Sequence, residues 1–372
     1  MAVFVITVLS VWTSVHAYVL WRVWRLPAMN TPLAHRVLVV AAVILWMSYP
    51  LSRFLYHWRL STVARPLEYA GTTWMGVLFL LFAALLAVDV VTAGGSLMRS
   101  TVSAIRGWAV AGALVLSVVA LVQGLRDPVV RDYEVRLAGL PAEREGTVLV
   151  EISDIHLGTL IGDSWMARLV DRVNAMKPDV VVVDGDLVDG SVNEVEPLLP
   201  VLKGLRAPLG VWAVTGNHEW YAGIDRSVRL LEDAGYSVLR DRWAEAAPGL
   251  VLAGVDDLTG RRQFVQVDHP VEKALAGRPS GATVLLSHSP LKADEAAAAG
   301  AGLMLSGHTH DGQIWPFRYL VRFAYPFLGG RYEVGAMTVI VCRGTGTWGP
   351  RMRLWLPCEI VRITLKRPEV KG

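Results

Sequence analysis

The chain has 372 residues, of which 53% are hydrophobic and 19% charged, and its mean hydropathy is +0.40. That composition excludes a disordered or collagenous chain, and also an ordinary soluble enzyme, because so much apolar surface must find a place out of water. The net charge of +3 hides a split: residues 1–126 hold nine Arg, no Lys and only Glu68 and Asp89, a balance of +7, whereas the remainder carries 27 bases against 31 acids. An acidic second half argues against nucleic acid as a partner, since phosphate backbones need a basic face.

Taken in chain order, four apolar stretches come first, at about 2–20, 37–55, 69–88 and 107–124. A hydrocarbon core about 30 Å thick needs about 20 such residues at 1.5 Å each. Residues 1–126 are therefore expected to form a multi-pass membrane module of four transmembrane helices. Trp21, Trp24, Tyr56, Trp58 and Trp108 sit near the span ends, where amphipathic rings prefer the interface. Arg53 interrupts the second stretch but can snorkel to the interface. A cleavable signal peptide is not expected, because no basic region precedes the first stretch. Three Arg follow that stretch and none precedes it, so the positive-inside rule leans toward both termini, and the large tail, lying outside the cytoplasm. Asp89, at a helix end, and His16 read as interfacial.

From residue 127 the texture changes to short apolar strands alternating with amphipathic helices, which predicts an α/β domain over 127–372. Strands are expected at 147–152, 180–183, 210–214, 250–254, 282–286, 303–305, 337–342 and 359–365. Helices are expected at 164–176, capped by Asp163, at 195–205, at 224–234 and at 291–299. Pro197 and Pro200 make the second helix the weakest expectation. Cys342 and Cys358 read as unpaired core thiols, so any metal falls to His, Asp, Asn or Glu.

Five of the expected strands end in the same kinds of residue. The first runs into Asp154-Ile155-His156 and the second into Gly185-Asp186-Leu187-Val188-Asp189. The third runs into Gly216-Asn217-His218-Glu219, and two later ones into Ser287-His288 and Gly307-His308-Thr309-His310. Taken singly, each fragment reads as a turn or a helix cap. Together they bring oxygen and imidazole donors to the carboxyl ends of strands, where open α/β sheets form their ligand crevices. Three imidazoles buried behind apolar strands without such a role would be costly. The donor set suits two adjacent divalent cations such as Mn, Fe or Zn. A water between such ions loses its proton near neutral pH and can attack phosphorus, while the ions neutralise phosphoryl charge.

The ordered set Asp-x-His, Gly-Asp-x-x-Asp, Gly-Asn-His-Glu, a separate His and Gly-His-x-His resembles the calcineurin-like metallophosphoesterase superfamily. Gly307 to Gln313 and the closing Arg343-Gly344-Thr345-Gly346 resemble its branch with N-terminal membrane spans or export signals. The resemblance covers roughly residues 130–366. It implies a sandwich of two mixed β-sheets flanked by helices, with a dimetal site at the sheet edge. It also implies that Asp154, His156 and His310 hold one metal, that Asn217, His288 and His308 hold the other, and that Asp186 bridges them. His218 resembles the family's non-ligand imidazole acting near the leaving group. Asp189 and Glu219 are expected to orient these residues rather than to ligate. Asp311 stands where the branch often has Gly, and is expected either to support His310 or to narrow substrate choice.

The aromatic stretch 313–330, with Arg318 and Arg322, suits a loop resting among anionic headgroups, or else a strand pair or helix on the catalytic core. Arg331 and Arg343 are candidate substrate-phosphate ligands. The function expected is a membrane-anchored dimetal phosphoesterase acting on phosphate mono- or diesters, with lipid headgroups or envelope-linked phosphates as candidates. The alternative is a catalytically silent metal-binding scaffold or sensor on the membrane. Metal identity, ester class and oligomeric state stay open.

Overall fold

The computed structural model describes residues 2–58, 60–265 and 267–369. They fall into two compact units, one of residues up to Leu125 with the segment Gly349–Trp355, the other of Arg126–Trp348 and the residues from Leu356 onward.

The first unit contains helices α1 (Ala2–Trp24), α2 (Pro32–His57), α3 (Ser61–Val91) and α4 (Val102–Gly124). The start of α2 follows from its sequence: Pro32 fits the first helical position and the Thr31 hydroxyl accepts the Ala34 N–H at 3.1 Å. Against the expectation of four spans, three helices among the described residues are long and apolar enough to cross a membrane: Pro32–Tyr56, Ser61–Val91 and Val102–Gly124. The first expected span, at about 2–20, falls partly on residues 2–5, whose side chains lie outside the described residues. Helices α2 and α3 approach closely at Gly71, where a Cβ would come within 2.7 Å of the Tyr49 nitrogen.

Asp89 has its partners within this unit. It is buried, and its carboxylate takes Arg106 Nη2 at 2.7 Å and Nε at 3.0 Å, Arg22 Nη2 at 2.5 Å and the Tyr18 hydroxyl at 2.5 Å. One acid thus joins α1, α3 and α4 through two guanidinium groups. His16 is also buried: its Nε2 accepts the Trp74 indole N–H at 2.8 Å, leaving Nδ1–H for the Trp12 carbonyl at 2.8 Å. The segment Gly349–Trp355 packs on the end of α4. Its Arg353 N–H donates to the Ala120 carbonyl at 2.8 Å and its Trp355 N–H to Gln123 Oε1 at 2.7 Å. Gly124 permits this approach, since a Cβ there would lie 2.6 Å from Met352 Cα.

The second unit is a sandwich of two mixed sheets. Among the described residues its strands are β1 (Val129–Arg136), β2 (Val148–Ile152), β3 (Val180–Asp184), β4 (Val211–Val214), β5 (Ser237–Val238), β6 (Arg242–Ala247), β7 (Leu250–Gly254), β8 (Ala282–Leu286), β9 (Leu303–Ser306), β10 (Gly330–Val334), β11 (Met337–Val341) and β12 (Glu359–Lys366). One sheet has the order β1-β12-β2-β3-β4-β5 and the other β10-β11-β9-β8-β7-β6. In the first, β2, β3 and β4 run parallel, and in the second β7, β8 and β9 do.

Strand alternation builds the layers. Val180 and Val182 of β3 point into the core between the sheets, against Leu250, Leu252, Val284 and Leu305. Val181 and Val183 point outward to a helical layer. Burial on both faces explains the unbroken valine run. The helix α5 (Asp163–Ala175) lays Met166, Leu169, Val170 and Val173 on that outer face. Gly162, not Asp163, occupies its cap, and Asp163 begins the helix. The helix expected at 195–205 is broken into Val192–Val195, a 3₁₀ turn Glu196–Leu198 and Leu199–Leu202, as its two prolines dictate. Cys342 and Cys358 are free and buried.

Candidate metal centre

The parallel strands β2, β3, β4, β8 and β9 each end in one of the motif loops, and the loops converge. Asp154, His156 and His310 each offer a ligand atom within 4.8 Å of the others, and so do Asp186, His288 and His308. In the first group Asp154 Oδ1 is 3.2 Å from His310 Nε2, and the Nε2 atoms of His156 and His310 are 3.1 Å apart. In the second, Asp186 Oδ2 is 3.2 Å from His288 Nε2, and His308 Nδ1 is 2.8 Å from Asn217 Oδ1. Asp186 Oδ2 also lies 3.8 Å from His156 Nε2, so this carboxylate faces both groups.

The loops are held in unusual backbone. Asp154, His156, Asp186, His308 and His310 all have φ between 49° and 69°. Such left-handed residues are uncommon outside glycine and cost about 1–3 kcal/mol each, so the surroundings must over-determine them. They do: Asp154 N–H donates to the Gly185 carbonyl at 3.1 Å, His156 N–H to the Asp186 carbonyl at 3.0 Å, and His308 N–H to Asp154 Oδ2 at 3.0 Å. Gly185 is also needed for space, because a Cβ there would sit 2.6 Å from His288 Nδ1. Glu219 ties two loops together, its buried carboxylate accepting the N–H groups of Asp186 and Val188 at 2.9 Å and of Gly216 at 2.7 Å.

The donor set fits divalent cations. Among the described residues neither Asp154 nor Asp186 pairs with Lys or Arg. His288 Nδ1 meets the Asp184 carbonyl at 2.7 Å and must donate to it, which turns Nε2 inward to face Asp186 Oδ2 at 3.2 Å. Carboxylates and imidazole nitrogens thus converge with no Lys or Arg between them, so a divalent cation can take the place of the imidazole protons as the positive charge there. Burial, with His218 alongside, pushes the His156 imidazole down to about 3, so it presents a neutral ring. Burial opposes ionisation of Asp186, yet His288 and His218 hold its carboxyl well below the usual range.

His218 stands at the rim. Its Nδ1 is 2.9 Å from Asp189 Oδ1, and its ring lies edge-on to Tyr221 and Trp348 at 5.7 and 6.2 Å between centroids. Burial disfavours its cation, but Asp186 and Asp189 outweigh burial and push it up to about 9. Asp311 is engaged by Arg343 at 3.0 Å and Arg318 at 3.2 Å, and Arg343 also reaches Glu359 at 3.0 Å. Arg331 is not gathered with the others: it pairs with Glu333 at 2.7 Å and donates to the Glu134 carbonyl at 2.8 Å. The 313–330 stretch contains a short helix, Arg318–Val321, and exposes Phe317, Tyr319, Leu320 and Phe323.

Sequence reasoning passed over two residues at the centre. Tyr325 places its hydroxyl 2.5 Å from His308 Nε2, and Trp348 flanks His218. Both are aromatic residues in loops, a type and a setting that carry no motif.

Comparison with known proteins agrees with this geometry. The family model for calcineurin-like phosphoesterases matches residues 147–312. Proteins described as "transmembrane protein with metallophosphoesterase domain" from Danio rerio and Bos taurus are each 37% identical to the chain, over 265 and 288 residues. The matches cover 68% and 73% of this chain and 61% and 65% of those relatives, so the chain spans less than two thirds of their length. A protein of Aquifex aeolicus described as an uncharacterized metallophosphoesterase is 36% identical over 240 residues, which is 64% of this chain and 91% of that protein. By that match, and by the motif-bearing loops at its strand ends, the chain belongs to the calcineurin-like phosphoesterase family.

Proposed function

We propose that the chain is a membrane-anchored phosphoesterase using two divalent cations, with residues 1–126 as a multi-pass membrane module and 127–372 as the catalytic domain. The observation that carries this reading is the pair of Asp/His groups joined by Asp186, whose carboxylates Asp154 and Asp186 meet no Lys or Arg among the described residues. Asp154, His156 and His310 would hold one cation, Asn217, His288 and His308 the other, with Asp186 reaching both. Cations held there supply Lewis-acid polarisation of a phosphoryl oxygen and neutralise the charge that builds on it.

The chain's own residues supply the rest. Asp189 holds His218 by Nδ1 at 2.9 Å and favours its cation, so its Nε2–H is available to the leaving oxygen. Glu219 fixes the Asp186 loop through its three N–H contacts. Arg343, engaged by Asp311 and Glu359, gives a substrate phosphate a cation only in competition with those acids. The exposed aromatics of 313–330, together with Arg318 and Arg322, support a substrate phosphate borne by a lipid or an envelope polymer, and the Arg asymmetry supports an extracytoplasmic site.

The test is turnover of a chromogenic phosphodiester with Mn by wild type, His218→Ala and Asp186→Ala. His218→Ala should lose about 10²–10⁴-fold, the usual share of a general acid, and Asp186→Ala should lose all measurable turnover. Unchanged rates in both variants overturn the assignment. Protease accessibility of the catalytic domain in intact spheroplasts tests the side.

A further inference from the structure

His308 has a side-chain partner on each ring nitrogen. Nδ1 lies 2.8 Å from Asn217 Oδ1, and Nε2 lies 2.5 Å from the Tyr325 hydroxyl. The Tyr325 and His308 rings meet edge-on, 4.9 Å between centroids, so the hydroxyl is placed by packing as well as by the hydrogen bond. An amide oxygen only accepts. With no cation present, His308 must therefore carry its proton on Nδ1 and accept from Tyr325 at Nε2. For Nδ1 and Asn217 Oδ1 to face one cation together, the ring must carry its proton on Nε2 instead. A phenol serves either state, because it donates and accepts at the same position.

We infer that Tyr325 is a positioning residue for the second cation: its hydroxyl accepts the Nε2–H of His308 and holds the ring in the tautomer that turns the Nδ1 lone pair toward Asn217. The inference rests on the dimetal reading above. The corresponding task at His288 is done by a backbone carbonyl, that of Asp184, which is rigidly placed by β3. At His308 it falls to a side chain from the 313–330 loop, whose exposed aromatics lie a few residues away. The arrangement therefore makes occupancy of one cation, and not the other, depend on where this loop lies.

The experiment is a Mn²⁺ titration of full-length, metal-stripped protein by calorimetry, with bound metal counted after desalting. Wild type, Tyr325→Phe, His308→Ala and Tyr332→Phe are compared. Tyr332 is the control for loop support, because its hydroxyl accepts the Leu328 N–H at 3.3 Å and donates to the Gly329 carbonyl at 3.2 Å without touching the centre. Wild type should bind two ions and His308→Ala one. Tyr325→Phe should bind one ion as tightly as wild type and the second about 10–100-fold more weakly, the usual effect of losing a partner that orients a ligand. Tyr332→Phe should match wild type. Two unweakened ions in Tyr325→Phe overturn the inference, as does equal weakening in Tyr332→Phe, which would assign the effect to loop support. Fewer than two ions in wild type, or two in His308→Ala, overturns the dimetal reading instead.

Discussion

Asp89 in the helical unit and the pair Asp154 and Asp186 in the sandwich are all buried carboxylates, with opposite surroundings. Asp89 is met by Arg22, Arg106 and Tyr18, so its charge is answered by the chain itself. Asp154 and Asp186 are met by imidazoles and backbone N–H groups, with no Lys or Arg among the described residues. A buried anion with resident cations fastens helices together. One surrounded by imidazoles and backbone N–H groups leaves room for a cation from outside, because an imidazole can give up its proton to a metal.

That contrast can be broken by experiment, beginning where the effect is largest. Stripping divalent ions with a chelator should abolish phosphodiester turnover and lower the thermal unfolding of the sandwich, with both restored by Mn; unchanged melting would mean the acids are not compensated by metal. Asp89→Ala should cost about 3–5 kcal/mol, because two buried guanidinium groups lose their counter-ion. Its bound metal should stay at the wild-type count; a metal loss there would erase the distinction between the two carboxylate sites. Glu219→Gln removes one of two accepting oxygens, and should cost about 1–3 kcal/mol while slowing turnover through the displaced Asp186 loop. Chemical denaturation and steady-state rates would show both. The smallest effect belongs to Arg136→Ala, whose partner Glu369 is exposed; the loss should stay within about 0.2–1 kcal/mol, and a larger one would mean the pair is not a surface ornament.

What was legible in the sequence follows from what each signal measures. All eight expected strands are present, and they include every interior strand of both sheets. The strands that escaped notice are β1, β5, β6 and β10, which are the outer strands of the two sheets. Half-exposed strands such as Val129–Arg136 and Gly330–Val334 mix acids and bases with apolar residues, so no apolar run betrays them. The motif loops were readable because ligand chemistry restricts residue type locally. The left-handed backbone at Asp154, His156, Asp186, His308 and His310 was not, since it depends on hydrogen bonds to loops 30 or more positions away. The ion pairs of Asp89 were not legible for a related reason, since Arg22 and Arg106 are distant from it in sequence. Of the four expected spans, three are matched among the described residues, and the first falls partly on residues 2–5, whose side chains lie outside them.

The segment Gly349–Trp355 has a bearing on biosynthesis. The Ala120 carbonyl and Gln123 receive their partners from residues made more than 200 positions later. The helical unit therefore leaves the ribosome unfinished and is completed only after most of the sandwich has been translated. A single cut near residue 126 cannot yield two intact halves, since the amino-terminal fragment would lack its last piece. Co-expression of that fragment with the remainder, rather than truncation, is the route to studying either half.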